Sequence, residues 1–75
     1  MHNVNNMSKQ INEKIKDLRI QNGYSQQFVA DYLQIDRSNY SKYELGKLVI
    51  NVEMLKQLCL LYGVSSDYIL GLKEI

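Results

Sequence analysis

Residues 25–47 are SQQFVADYLQIDRSNYSKYELGK, and this stretch predicts two short helices separated by a tight break. Ser25 is a favourable N-cap for the first helix and Asp36 for the second, because such side chains accept hydrogen bonds from free backbone N–H groups. Gly46 ends the second helix, since glycine adopts the left-handed conformation without strain. The small Ala30 lets the two axes cross closely and steeply, so the second helix is expected to protrude.

Three further helices are predicted around this pair, one before it and two after it. Each has a capping side chain, apolar residues at helical spacing and a glycine at its end. In the last helix, Ile69 and Leu70 are expected to point inward. We found no convincing strand pattern. The caps are Ser8, Asn51 and Ser65, and the glycines are Gly23, Gly63 and Gly71.

The predicted fold is therefore all-α, with five short helices in a single domain. A chain of 75 residues with 45% apolar content holds one core. The domain is expected to span residues 9–72, between a flexible N-terminal tail, residues 1–8, and a C-terminal tail, residues 73–75. Phe28, Val29, Tyr32 and Leu33 are the apolar residues of the second helix.

Several classes of protein are disfavoured by composition. A single cysteine, Cys59, excludes an intramolecular disulfide and agrees with a reducing cytoplasm, and we expect it to be a small buried apolar residue. Metal sites, cofactors and enzymatic activity are not expected, because no catalytic triad, metal-ligand cluster or plausible pair of carboxylates is evident. No apolar stretch approaches the roughly 20 residues that span a bilayer, so no membrane association is expected.

Net charge alone does not identify a partner. The formal charge is +1, whereas nucleic-acid-binding domains commonly carry a clear basic excess. Basic residues outnumber acidic ones within residues 1–48. The charge is therefore compatible with DNA binding but does not establish it.

The helix that follows Asp36 is predicted to have two different faces. Tyr40 and Tyr43 lie on one side, where their rings can pack against the preceding helices. The other side is mostly polar and includes two cations. A protruding helix with such a face fits the major groove of B-DNA, which is wide enough for one helix. The residues of this second face are Arg37, Ser38, Ser41, Lys42 and Leu45.

Residues 25–33, SQQFVADYL, and residues 40–47, YSKYELGK, together resemble the Cro/CI-type helix-turn-helix family, also called the xenobiotic response element family. The resemblance covers residues 11–72. It is supported by IKDLR at residues 15–19 and by YGVS at residues 62–65, in the family's order. It implies a lambda-repressor-like DNA-binding fold, with the helix-turn-helix at the second and third helices and double-stranded DNA as the partner.

The resemblance also implies roles for individual residues. Gln26 is expected to hold a DNA phosphate, a role that its place at a helix N-terminus also favours. Arg19 and Glu44 are expected to form a partly buried salt bridge. The residues expected to contact bases are Arg37, Ser38 and Lys42. Asn39 and Ser41 flank this surface and are expected to reach phosphates or neighbouring bases. Apart from the resemblance, the place of Tyr43 at the packing edge predicts that its hydroxyl reaches a phosphate.

Three positions depart from the family pattern. Gln34 stands where the turn usually has glycine, so a non-glycine residue is expected at positive φ. Phe28 replaces the usual glutamate of a capping box, so Ser25 caps without a reciprocal partner. The apolar run Leu48-Val49-Ile50 replaces the usual Asn-Pro, and it either folds back on the core or forms a subunit interface.

The function expected from these observations is a sequence-specific transcriptional regulator, a repressor that binds an inverted-repeat operator as a homodimer. A single short helix contacts few base pairs, and pairing two chains places two half-sites about 34 Å apart. The alternative is a protein-interaction module that retains the fold, such as an antirepressor, adaptor or antitoxin. In that case Leu45 and residues 48–50 would face a protein partner such as a toxin or antirepressor.

Overall fold

The computed structural model describes residues 10–72, and within this range it contains five α-helices and no strand. They are α1 (Ile11–Gln21), α2 (Gln26–Leu33), α3 (Arg37–Glu44), α4 (Val52–Tyr62) and α5 (Ser66–Leu70). The predicted all-α class and helix order are confirmed. The predicted tails, residues 1–8 and 73–75, lie outside the described residues. No helix within residues 10–72 is both long and apolar enough to cross a membrane.

The helix starts agree with the predicted caps at four of five positions, and three of these caps form a side-chain hydrogen bond. The side-chain oxygens of Ser25, Asn51 and Ser65 accept hydrogen bonds from the backbone N–H three residues on, at 3.0, 2.8 and 3.1 Å. Asp36 precedes α3 in extended conformation but makes no such side-chain bond. The prediction for α1 is wrong: Gln10 is the N-cap, whereas Ser8 lies outside the described residues.

The core receives side chains from all five helices. The helix α3 packs against both α1 and α2, while α5 packs against α1 and α4. Ala30 is fully buried, as the close crossing of α2 and α3 requires. One side of α3 is therefore supported by two helices. The buried apolar residues are Ile15, Leu18, Val29, Ala30, Leu33, Tyr40, Met54, Leu58 and Ile69.

Several apolar residues on the helices are exposed, among them Leu70, which was expected to point inward. Phe28 and Tyr32 retain 46% and 40% of their accessible surface, and Leu70 retains 38%. The side of α2 that faces the core carries Val29, Ala30 and Leu33. Phe28 instead packs on Tyr24, with 4.5 Å between ring centroids. The four apolar side chains of α2 are thus divided between the core and the surface.

The turn between α2 and α3 has the conformation expected at Gln34. Its φ is 62° and its ψ is 43°, which is left-handed backbone. The following Ile35 N–H donates to the Ala30 carbonyl at 3.0 Å, so the chain turns tightly here. A non-glycine residue in this conformation costs roughly 1 kcal/mol.

Replacing Gln34 by glycine is expected to raise the free energy of unfolding by about 0.5 kcal/mol, since the relief of strain exceeds the added entropy of the unfolded chain. Urea unfolding measures this difference. The matched control is Lys56→Gly, at an exposed helical position of α4, which should lower stability by about 1 kcal/mol. A loss of stability in Gln34→Gly would show that the turn is not strained.

Candidate nucleic-acid interface

The side of α3 that faces away from the core is exposed along the whole helix. Arg37, Ser38, Asn39 and Lys42 are exposed, while Ser41 is half-buried and donates from its hydroxyl to the Ser38 carbonyl at 3.0 Å. On the opposite side, Tyr40 is fully buried. The structure thus brings the predicted base-contacting residues onto one accessible surface.

A buried carboxylate lies at the end of α3 and receives four hydrogen bonds. Glu44 Oε2 accepts from Arg19 Nε at 2.6 Å and from the Tyr40 hydroxyl. Glu44 Oε1 accepts from Arg19 Nη2 at 3.1 Å and from Gln26 Nε2 at 3.0 Å. The predicted salt bridge between Arg19 and Glu44 is confirmed. We call these four side chains, Arg19, Gln26, Tyr40 and Glu44, the Glu44 cluster.

The protonation states of the Glu44 cluster follow from its geometry. Burial by itself would raise the pKa of Glu44, but hydrogen bonds from Arg19, Tyr40 and Gln26 outweigh it, and the net pKa is lowered. The hydrogen bond with Glu44 raises the pKa of Arg19. Burial, together with the neighbouring carboxylate, raises the pKa of Tyr40 far above its usual range. At neutral pH the cluster is therefore an ion pair with a protonated tyrosine as an additional donor.

Two members of this cluster were not expected from the sequence. Tyr40 precedes Glu44 by four residues on the buried side of α3, and this spacing is a signal that could have identified the pair. Gln26 was expected to hold phosphate, and nothing in its local sequence indicates a bond to Glu44.

Gln26 also contacts the first residue of α3. Its Oε1 accepts a hydrogen bond from Arg37 Nη1 at 3.3 Å, and its side chain is half-buried. The N-termini of α2 and α3 are thereby linked by a side-chain bridge. The exposed guanidinium of Arg37 keeps further N–H donors for other partners.

The C-terminal end of α3 is held to α1. Asn12 Nδ2 donates to the Glu44 carbonyl at 3.1 Å. Gly46 follows with a φ of 80°, and a Cβ atom there would lie 3.3 Å from Asn12 Nδ2. Glycine is therefore favoured at this position both by backbone conformation and by the close approach of the Asn12 side chain. Leu45, beside it, is 65% exposed.

The apolar run after α3 is divided between core and surface. Val49 is 85% exposed and Leu48 is 39% exposed, whereas Ile50 packs against the core. A second apolar surface, which the sequence reasoning did not identify, lies on α4, where Val52 and Leu60 are each about three-quarters exposed. Cys59 lines this surface and is half-buried, and burial raises the pKa of its thiol.

Tyr62 places a polar atom in the interior without a partner. Its hydroxyl is buried and has no hydrogen-bond partner within residues 10–72. Burial, and then the Glu44 carboxylate, raise its pKa above the usual range. Its ring stacks on Tyr24, with 6.1 Å between centroids. The ring thus contributes packing while the hydroxyl opposes burial.

Replacing Tyr62 by phenylalanine is expected to raise the free energy of unfolding by about 1 kcal/mol, because the ring is kept and the unpaired hydroxyl is removed. Thermal or urea unfolding measures the change. Tyr40→Phe is the matched control, since the same deletion there removes a hydrogen bond to Glu44 and should be destabilising. If Tyr62→Phe and Tyr40→Phe lower the free energy of unfolding equally, the Tyr62 hydroxyl is not unsatisfied.

A protruding α3 with a polar, cationic outer face, held from behind by α1 and α2, defines this chain as a helix-turn-helix protein. Within residues 10–72 no group of three or more His, Cys, Asp or Glu side chains is arranged to hold a metal ion. The candidate site consists of the outer face of α3 and the Gln26–Arg37 bridge at its start.

Comparison with known proteins gives the same result. Residues 12–75 match the family described as "Helix-turn-helix domain", and the chain belongs to this family. The resemblance drawn from its motifs is thereby confirmed.

Curated relatives carry the names of regulators. The chain is 45% identical over 58 residues to the SPbeta prophage-derived uncharacterized HTH-type transcriptional regulator YonR of Bacillus subtilis, covering 77% of this chain and 54% of that protein. It is 35% identical to the HTH-type transcriptional regulator ImmR of Bacillus subtilis, covering 87% and 51%. It is 33% identical to the HTH-type transcriptional activator BcrR of Enterococcus faecalis, covering 88% and 32%. The chain thus spans about half the length of the first two relatives.

Proposed function

We propose that the chain is the DNA-binding part of a sequence-specific transcriptional regulator and that α3 enters the major groove. The observation that carries this proposal is the exposed polar face of α3, which has two cations and is supported from behind by α1 and α2. A helix presented in this way matches the dimensions of the groove. The relatives named as transcriptional regulators support the same function.

The proposed contacts with DNA are the ones expected from the sequence. Base edges are contacted by Arg37, Ser38 and Lys42, which are exposed. Tyr43 is half-buried beside Ile11, at the edge of the face. The proposed phosphate contacts are Gln26, Asn39, Ser41 and Tyr43.

The regulator is proposed to act as a repressor that binds an inverted-repeat operator as a homodimer. One α3 contacts few base pairs, and a two-fold dimer presents two such helices to half-sites about 34 Å apart. Leu48 and Val49 are exposed beside the partly buried Ile50, and these three residues are the proposed dimer interface. BcrR is named an activator, so a promoter assay with and without the protein determines the sign of regulation.

Selection of bound sequences from a random duplex pool tests the proposal. Recovery of an inverted repeat, with affinity that falls steeply as salt increases, is the expected result, because phosphate neutralisation releases counterions. The alternative is a protein-interaction module, which the exposed Leu45 and Val49 favour. Failure to enrich any sequence, together with weak binding that does not depend on salt, would favour the module over the regulator.

Replacing Val49 by aspartate is expected to dissociate the dimer, because an unpaired carboxylate would be buried at the two-fold interface. Sedimentation analysis over a range of protein concentrations measures the dissociation constant. Leu60→Asp on α4 is the matched control and should leave the dissociation constant of the dimer unchanged. Dissociation by Leu60→Asp alone would place the interface on α4 instead.

A further inference from the structure

We propose that Glu44 is a positioning residue for DNA recognition: its carboxylate sets the orientation of the Gln26 carboxamide, and the oxygen of that carboxamide holds the guanidinium of Arg37. This inference rests on the proposed function. According to this inference, the buried side chain of Glu44 affects DNA recognition although it does not contact the DNA.

The orientation of the Gln26 carboxamide follows from the charges on its two sides. Its nitrogen donates to Glu44 Oε1 at 3.0 Å, and its oxygen accepts from Arg37 Nη1 at 3.3 Å. Reversing the amide would place its oxygen against a carboxylate and its N–H groups against a guanidinium, and both contacts would be repulsive. The negative charge of Glu44 thus determines that the oxygen faces Arg37.

Glu44 can impose this orientation because it is itself immobilised. Its side chain is 3% exposed and lies against Arg19, whose Nε is 2.6 Å from Oε2. The Tyr40 hydroxyl, on a fully buried ring, donates to the same oxygen. The carboxylate therefore has no route to solvent and keeps Oε1 turned toward Gln26. A continuous series of hydrogen bonds runs from α1 through Glu44 and Gln26 to the start of α3.

The consequence for recognition lies in the freedom of Arg37. A long exposed side chain loses rotamer entropy when it is ordered on a base, and a side chain already held near its bound position loses less. The bond to Gln26 uses one N–H group, and the planar guanidinium retains enough donors for a bidentate contact with a guanine. Glu44 thus contributes to affinity at the base pair that Arg37 reads, through Gln26.

The test uses the 75-residue chain and the duplex recovered from the random pool, together with duplexes substituted at each base pair in turn. Glu44→Gln keeps the shape of the side chain and removes the charge that orients Gln26. It is expected to lower affinity about tenfold and to flatten the preference at the base pair that Arg37→Ala also affects. In a Gln26→Ala background the same change should alter affinity by no more than about twofold.

Two further variants separate positioning from folding. Lys56→Gly, at an exposed position of α4 outside the Glu44 cluster, should lower the melting temperature and leave base preference unchanged. Gln26→Met breaks the bridge without altering the buried charges, and it should flatten preference at the Arg37 base pair even if Glu44→Gln does not fold.

The possible outcomes distinguish this inference from the proposed function. Retained preference at the Arg37 base pair in Gln26→Met overturns the positioning role while leaving DNA binding in place. The positioning role is also overturned if Glu44→Gln lowers DNA affinity equally in the wild-type and Gln26→Ala backgrounds. A wild-type chain that binds no duplex overturns both the inference and the proposed function.

Discussion

Replacing Arg19 by methionine is expected to lower the free energy of unfolding by about 3 kcal/mol, because it leaves the buried carboxylate of Glu44 without its cation. The Arg19 side chain donates twice to Glu44, at 2.6 and 3.1 Å, and a third time to the Tyr24 carbonyl at 3.0 Å. A domain of this size has a total stability of only about 5 kcal/mol, so the variant should retain about 2 kcal/mol and unfold at a clearly lower temperature than the wild type.

Urea unfolding at low temperature measures this loss. Lys16→Met is the matched control, since it removes an exposed cation from the same helix. Surface substitutions of this kind usually change stability by less than about 0.5 kcal/mol. If both variants lower the free energy of unfolding by a similar amount, the Arg19–Glu44 ion pair contributes no more to stability than an exposed charge does.

The pH dependence of the Arg19→Met effect provides a second check. In the folded wild type the pKa of Glu44 is lower than in the unfolded chain, where it is about 4.3. The ionised carboxylate therefore contributes to the free energy of unfolding above about pH 4.3, and this contribution is lost as pH falls through the pKa of the folded state. Without Arg19, burial favours the protonated acid and the folded pKa rises. The stability difference between wild type and variant should therefore narrow from pH 7 to pH 4. A constant difference would contradict this account of the cluster.

Replacing Arg37 by alanine is expected to weaken operator binding by about 10- to 100-fold, corresponding to 1 to 3 kcal/mol for a side chain that contacts a guanine bidentately. Preference at a single base pair should relax, because the lost contact is specific to one base. The side chain is exposed and lies at the first position of α3, so the fold should be unaffected.

Gel-shift titration against the selected operator and its single-base variants measures both effects. Lys56→Ala serves as the control, because it removes an exposed cation on α4, outside the proposed interface. Arg37→Ala with unchanged affinity would remove Arg37 from the base-contacting set. A uniform loss over all sequences would instead assign its guanidinium to the phosphate backbone.

The helix boundaries could be predicted from sequence because they depend on local chemistry. Ser25 and Asn51 accept hydrogen bonds from residues only three positions away, and Gly63 ends α4 in left-handed conformation. The unusual turn at Gln34 was predicted from the resemblance, which indicates a position that requires positive φ. Such features are determined within a few residues of one another.

Features that depend on neighbouring helices were predicted less well. The burial of Phe28 or Val29 depends on which side of α2 meets the rest of the protein, and the apolar pattern alone did not distinguish them. The bond from Gln26 to Glu44 joins residues 18 positions apart. It could not be inferred from either residue in isolation, because it arises only when α2 and α3 cross.

The two faces of α3 also bear on how this protein can acquire new binding preferences. Tyr40 and Glu44 carry its interior contacts, while Ser38, Asn39 and Lys42 are exposed to solvent. Surface substitutions usually change stability little, so mutations at these three positions leave the domain folded. Under the proposed function, a designed library confined to these positions would change the preferred DNA sequence without a compensating change in the core.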